Sequence, residues 1–100
     1  MNEQELKLYD DALDLWGEQA QIMMVLEECG ELIDAICKRI RGRNELSDVA
    51  SEVADVQIMC AQMSRLIQRT TNSDLVEIAR VEKLQRLFQR VEKAKETKVN

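Results

Sequence analysis

Two pairs of acidic residues, each three positions apart, are the part of this sequence whose residue types and spacing could do chemistry. Glu28 and Glu31 form the first pair, and Glu52 and Asp55 form the second. Residues three apart on a helix project from one face, so each pair could hold one ligand. If two helices brought the pairs together, four carboxylates would repel unless a cation lay among them. The pattern allows two interpretations, a metal site and a solvent-exposed acidic face, and spacing alone favours neither.

The metal interpretation limits which cation could bind. The chain contains no His, which removes the Glu-x-x-His pattern of di-iron bundles and disfavours zinc catalysis. Ligation by carboxylate oxygens alone suits Mg²⁺, with Mn²⁺ as the alternative. Because Mg²⁺ commonly binds through carboxylates together with substrate phosphates, the acidic pairs point to a small molecule that carries phosphate.

The composition predicts the elements that position these acids. The 100 residues include no Pro, three Gly and only 3% aromatic residues, and strong helix formers dominate. We therefore predict an all-α fold and a single domain over residues 1–100. A chain this short buries a modest core, so we expect a bundle of about four helices that is completed by oligomerisation.

Apolar residues at alternating steps of three and four predict the four helices. The predicted helices cover residues 6–16, 18–40, 45–69 and 75–91, and residues 93–100 are expected to fray. Gly17 and Gly42 are candidate terminators, Asn44 is the predicted N-cap of the third helix, and Ser73 or Asn72 that of the fourth.

The acidic pairs lie beside an apolar seam on each of the two central helices. The third helix carries the more regular seam, which consists of Leu46, Val49, Val53, Val56, Cys60, Met63 and Ile67. On the third helix, Glu52 and Asp55 are each one position, or about 100° of rotation, from the seam residues Val53 and Val56. We expect the seams inside the bundle and the acids at the edge of its interior.

Cys29, Cys37 and Cys60 are predicted to be buried free thiols in a reducing compartment.

The charge balance restricts the partners. A net charge of −5 argues against a nucleic-acid polymer, which usually requires a basic surface. Residues 76–100 are nevertheless basic, with seven basic and four acidic side chains, against seven and fifteen in residues 1–75. No apolar run approaches the length of a membrane span, and the N-terminus lacks the features of a signal peptide, so we expect a cytoplasmic protein without a membrane partner.

A longer pattern surrounds the two acidic pairs. It reads Glu27-Glu28-x-x-Glu31, a spacer of 20 residues, and Glu52-x-x-Asp55, flanked by WGEQAQ at 16–21 and EVADVQIM at 52–59. Over roughly residues 16–63 this pattern resembles the MazG-like all-α nucleoside triphosphate pyrophosphatases. The resemblance implies hydrolysis of a nucleoside triphosphate, often a deoxynucleotide or a non-canonical one, to monophosphate and pyrophosphate. Such activity cleans the nucleotide pool.

The resemblance also implies roles for individual residues. Mg²⁺ would be held by the carboxylates at Glu28, Glu31, Glu52 and Asp55, with Glu27 assisting. Independently of the resemblance, attack by a water on phosphorus requires a base, for which Glu27 and Glu28 are the candidates. Family members commonly assemble as homodimers or as tetramers built from two dimers, and we expect the same here.

Four further residues are candidates for substrate binding, each with a structural alternative. Lys38 could bind a phosphate, or its charge could simply stabilise the C-terminal end of the second helix. Lys83, which resembles a lysine of the family's last helix, could bind phosphate or lie on a solvated surface. Gln21 could bond a base edge or be a surface side chain. Trp16 could stack on a base or belong to the core.

A different class of function is also compatible with the sequence. The chain could be a helical interaction or regulatory module whose heptads mediate assembly and whose acidic face is incidental. Such a module would not hydrolyse nucleotides, and it would be indifferent to neutralisation of Glu28.

Overall fold

The computed structural model describes residues 1–99, of which the side chain of Val99 is excluded, and they form four α-helices without a strand. The helices are α1 (Glu3–Trp16), α2 (Glu18–Ile40), α3 (Leu46–Thr71) and α4 (Leu75–Val99). The all-α prediction is confirmed. The prediction of fraying after residue 92 is wrong for residues 93–99, because α4 continues through this Ala-, Lys- and Glu-rich segment of strong helix formers. Asn100 lies outside the described residues.

A side-chain cap marks the start of α1, and a glycine marks the boundary between α1 and α2. The Asn2 side chain accepts a hydrogen bond of 2.8 Å from the backbone N–H of Glu5 and so caps α1. Gly17 has a φ of 93° and separates α1 from α2, a conformation that glycine adopts without steric cost. The predicted termination at this glycine is confirmed.

The N-caps of α3 and α4 differ from the predictions. Glu45, and not Asn44, precedes α3, and its backbone N–H donates to the Asp48 carboxylate at 2.8 Å. Asn44 instead donates its side-chain amide to the carbonyl of Ala35 at 3.0 Å, which ties the connecting segment to α2. At α4 the Asp74 carboxylate accepts from the N–H of Glu77 at 3.4 Å, so the N-cap lies one residue beyond the predicted Ser73.

The α2–α3 pair forms the centre of the molecule. The short connection between the two helices makes them antiparallel neighbours, while α1 contacts both of them and α4 contacts only α3. Five apolar side chains are buried among the described residues: Tyr9, Leu13, Ala35, Met59 and Leu66. Among residues 1–99, none of the helices combines the length and the apolar character that a membrane span requires.

The side of α2 and α3 that faces inward differs from the predicted one. The helices meet along the positions that carry the acids, and this line ends in the buried residues Ala35 and Met59. Much of the predicted apolar seam is exposed instead, as Ile33 at 64% and Leu46 at 68% illustrate.

The cysteines are free thiols as predicted. The prediction that they are buried is wrong for two of them, since Cys29 is half-buried but Cys37 and Cys60 are exposed.

An ionic cluster holds α1 against the C-terminal half of α3. The Arg65 guanidinium donates to both carboxylate oxygens of Asp10, at 2.6 and 2.9 Å. One turn further along, Arg69 donates to Asp14 at 2.6 Å. The hydrogen bond from Arg65 is the main cause that holds the pKa of Asp10 below its usual value of 3.8. Paired guanidinium and carboxylate groups of this geometry are stronger than ordinary surface ion pairs.

Replacing Asp10 by Asn is expected to lower the Tm by a few degrees at neutral pH. Because the pKa of Asp10 is lower in the folded state, its contribution to stability is present above the unfolded value and is lost as the pH falls through the folded value. The difference in Tm between wild type and Asp10→Asn should therefore shrink below about pH 4. Asp11→Asn is the matched control, since Asp11 pairs only with the exposed Lys7. Equal effects of both variants in thermal melts would contradict a special role for Asp10.

Candidate metal centre

Three carboxylates from two helices converge between α2 and α3. Glu28 and Glu31 lie on consecutive turns of α2, and Glu52 lies opposite them on α3. Each residue offers one carboxylate oxygen, and the three oxygens lie within 4.8 Å of one another. The antiparallel arrangement of α2 and α3 brings the pairs together, because the three-residue spacing places each pair on one face of its helix and the two helices meet along those faces.

Two of the oxygens in this carboxylate cluster are buried without a partner. Glu28 Oε2 and Glu52 Oε2 have almost no solvent access and accept no hydrogen bond. Buried polar atoms are normally paired, and an orphaned carboxylate oxygen costs free energy unless a cation or water occupies the space beside it. Glu31 is exposed, so the cluster is reached from solvent on its side.

The cluster perturbs its own protonation. Desolvation by the surrounding helices, reinforced by the charges of Glu31 and Asp55, raises the pKa of Glu28 above its usual value of 4.5. Desolvation and the same two charges also raise the pKa of Glu52. Both shifts have the direction expected for carboxylates that repel one another in a place where water is scarce. A divalent cation among the carboxylates would oppose both shifts, because it favours the charged form of each group.

The other acids of the motif surround the cluster without belonging to the group of three. Asp55 is half-buried and close enough for its charge to act on Glu28 and Glu52. Glu27 is exposed. Asp48, which could have extended the acidic line to the metal, accepts the backbone N–H of Glu45 at the start of α3. Its carboxylate therefore serves the first turn of the helix and not the carboxylate cluster.

The residues present fit a hard divalent cation. The donors are carboxylate oxygens from Glu28, Glu31 and Glu52, two of which are buried and unpartnered. Mg²⁺ and Mn²⁺ prefer such oxygen donors, and Mg²⁺ typically keeps several waters and binds substrate phosphates in its remaining positions. The open side at Glu31 leaves room for ligands of this kind.

A buried amide pair extends the same α2–α3 interface beyond the carboxylates. Gln21 donates its side-chain amide to the carbonyl oxygen of Gln62 at 2.6 Å, and the Gln62 amide lies 3.6 Å from the sulfur of Met59. Both glutamines are buried, at 7% and 8% exposure. The surface alternative for Gln21 is therefore wrong. Gln62 was missed, although its position continues the line of Asp55 and Met59 at steps of four and three.

The remaining substrate-binding candidates lie apart from one another. Trp16 is 64% exposed, so its core alternative is wrong. Lys38 is exposed and pairs with Asp34 on its own helix at 2.9 Å. Lys83 lines an open groove of about 610 Å³ between α4 and Ile67 of α3. None of these three residues belongs to the carboxylate cluster in the described part of the chain.

Comparison with known proteins identifies the family. The model of the MazG nucleotide pyrophosphohydrolase domain matches residues 17–91, which include all five acids of the motif and most of α4. No curated protein and no solved structure matches the chain significantly. The match covers most of the chain, and its residues form the helices that carry the carboxylate cluster. The chain therefore belongs to the MazG nucleotide pyrophosphohydrolase family.

Proposed function

We propose that this protein hydrolyses a nucleoside triphosphate, a deoxynucleotide or non-canonical one, to monophosphate and pyrophosphate with Mg²⁺ as cofactor. The observation that carries the proposal is the cluster of Glu28, Glu31 and Glu52, with two buried oxygens that lack a partner, inside a MazG domain. A solvent-exposed acidic face would not contain buried, unpaired carboxylate oxygens. This difference favours an enzyme over an interaction module.

The carboxylates at Glu28, Glu31, Glu52 and Asp55 would hold Mg²⁺ or Mn²⁺. The cation would supply charge neutralisation for a triphosphate, which an acidic pocket would otherwise repel. Glu28 and Glu52 would bind it from the buried side through their unpartnered oxygens, and Glu31 would bind from the exposed side. Mn²⁺ can replace Mg²⁺ in such an oxygen-donor set.

Glu27 or Glu28 would accept the proton of the attacking water. The water oxygen would form a bond to the α-phosphorus, in line with the bond from that phosphorus to the α–β bridging oxygen. The latter bond breaks, and the bridging oxygen leaves with pyrophosphate. Glu27 is exposed and adjacent in sequence to the cluster, so it can meet solvent. Glu28 belongs to the cluster itself, so it would be both a ligand and a candidate base.

The other candidates would act on the remaining parts of the substrate. Lys38 and Lys83 would bind phosphate oxygens, Gln21 would contact the base edge, and Trp16, which presents an exposed indole, would stack on the base. Homodimers or tetramers of two dimers would bring these dispersed residues closer together. A small core and a large exposed apolar surface support assembly.

The proposal is tested by measuring pyrophosphate and monophosphate release from a panel of canonical and modified NTPs and dNTPs with Mg²⁺. Glu52→Gln and a sample with EDTA serve as controls. We expect turnover of at least one nucleotide that both controls abolish. Absence of turnover with every nucleotide, in a folded protein that also fails to bind Mg²⁺ in calorimetry, would favour the interaction or regulatory module instead.

A further inference from the structure

The amide pair of Gln21 and Gln62 is a polar contact in apolar surroundings. The space beside the two side chains is lined by apolar residues of α1, α2 and α3, and it leaves no room for a water molecule. An unpaired amide is costly in such a place, whereas apolar groups of the same shape in place of both partners are nearly neutral. Stability alone therefore does not require these two amides.

The sulfur of Met59 determines which atom of Gln62 faces Gln21. The Gln62 amide nitrogen lies 3.6 Å from this sulfur, which can accept a hydrogen bond but cannot donate one. The nitrogen is therefore turned toward Met59, and the oxygen Oε1 accepts from the Gln21 amide at 2.6 Å. Gln62 thus presents an acceptor of fixed orientation, and this acceptor needs a donor opposite it.

The amide pair and the carboxylate cluster lie along the same line of each helix. This line consists of Gln21, Met24 and Glu28 on α2 and of Asp55, Met59 and Gln62 on α3. On both helices the glutamine is seven residues, or about 10 Å along the axis, from the acid. On both helices one methionine lies between them. A ligand that binds at the carboxylates and reaches the amides must therefore lie against the methionines.

The two methionines provide an adaptable apolar surface between the acids and the amides. Met59 is 7% exposed and Met24 is 37% exposed, so this surface meets solvent on the side of α2. Methionine side chains are flexible, and their sulfur makes favourable contacts with aromatic rings. A planar aromatic group is the kind of ligand that such a surface accommodates.

A nucleotide contains the required groups in the same order. In the proposed function its α-phosphate would lie at the carboxylates, and the sugar and the planar base extend away from that phosphate. The edge of the base carries N–H donors and acceptor atoms. A nucleotide that extends along the α2–α3 line would place its base against Met24 and Met59 and the edge of the base at Gln62.

We propose that Gln62 determines base specificity, because its Oε1 accepts a hydrogen bond from an N–H of the nucleobase, which displaces the amide of Gln21. The displaced Gln21 amide donates to the neighbouring acceptor atom of the base. One hydrogen bond is broken and two are formed, so the exchange favours a base that carries a donor beside an acceptor. Without a nucleotide, the Gln21 amide takes the place of the base donor. This base contact rests on the proposed function and names the part of the substrate that is recognised.

The base contact is tested by comparing the best nucleotide of the panel with an analogue that has no N–H on the edge of its base. Purine replaces adenine or guanine, pyrimidinone replaces cytosine, and difluorotoluene replaces thymine or uracil. In wild type we expect kcat/KM to be at least about 100-fold lower for the analogue, since Gln62 then loses its partner. In Gln62→Leu this ratio should fall below about 10-fold, because no acceptor is left unpaired.

The ratio separates specificity from stability. If Gln62 served the fold alone, Gln62→Leu would lower the turnover of nucleotide and analogue alike, and an unchanged ratio would overturn the proposal. Gln21→Leu/Gln62→Leu is the second variant in case the single variant unfolds, since neither amide then remains unpaired, and it should show the same low ratio. Gln57→Leu, at an exposed position of α3, is the matched control and should keep the wild-type ratio.

Calorimetry separates failure of the base contact from failure of the proposed function. If wild type hydrolyses no nucleotide, the proposed function fails, and the ratio is taken instead from the dissociation constants of the canonical nucleotides and their analogues with Mg²⁺. A preference for a nucleotide with the N–H that disappears in Gln62→Leu would support the base contact. Equal constants for nucleotide and analogue, or no binding of either, would overturn it.

Discussion

Glu28→Gln is expected to abolish the stabilisation of the protein by Mg²⁺ while raising the Tm of the metal-free form. Glu28 contributes one of the two buried oxygens without a partner and one of the three that converge within 4.8 Å. Its loss should weaken Mg²⁺ binding by at least about 100-fold, since even residues that only support metal ligands are worth 10- to 100-fold. A cation that binds only the folded state raises the Tm, so this rise should disappear.

The metal-free form is expected to gain stability for electrostatic reasons. Gln at this position removes one of the charges that repel within the cluster, and its amide can donate to the carboxylate of Glu52. The gain should depend on pH, because the pKa of Glu28 is raised in the folded protein. The folded state then binds more protons than the unfolded state, so metal-free wild type becomes more stable as the pH falls from neutral through the raised pKa.

Thermal melts with and without Mg²⁺, at a series of pH values, measure both effects. Glu3→Gln is the matched control, since Glu3 is exposed in the first turn of α1. It should leave the response to Mg²⁺ unchanged. An undiminished rise in Tm with Mg²⁺ in Glu28→Gln would show that the cation binds elsewhere.

Replacing one partner of the buried amide pair is expected to destabilise the protein by about 1–3 kcal/mol, because the other amide is left buried and unpaired. Gln21 and Gln62 are each at least nine-tenths buried and share a hydrogen bond of 2.6 Å. Leu is close to Gln in volume, so Gln21→Leu and Gln62→Leu test the hydrogen bond with little change in packing. The double variant should lose less stability than the sum of the single ones, since neither amide then remains.

Urea unfolding of wild type, the two single variants and the double variant measures the coupling between the two glutamines. Gln57→Leu is the matched control, since Gln57 is exposed on α3, the helix that carries Gln62. It should change the free energy of unfolding by less than about 0.5 kcal/mol. Additive losses in the double variant would mean that the two amides do not depend on each other. In that case Gln21 would be free to contact a substrate without breaking a structural bond.

The sequence by itself determined the four helices and indicated the candidate residues of the site. The α2 helix has the predicted bounds, Glu18–Ile40, because apolar periodicity and the glycine at position 17 are local features. The convergence of Glu28, Glu31 and Glu52 is what the metal interpretation of the sequence required, since acids three apart on two successive helices can meet when those helices are antiparallel neighbours that turn these faces inward. The errors at the helix starts have local causes too, because Asp48 accepts the backbone N–H of Glu45 and Asp74 accepts that of Glu77.

Only the tertiary structure decided which side of each helix is buried. Periodicity identifies an apolar side but not the surface that covers it, and Ile33 and Leu46 proved to be exposed while the polar line with Gln21 and Gln62 lies inside. The long-range bonds that produce this result, from Gln21 to Gln62 and from Arg65 to Asp10, join residues 41 and 55 positions apart. Contacts at such separations depend on how whole helices pack, and no local pattern of residues contains that information.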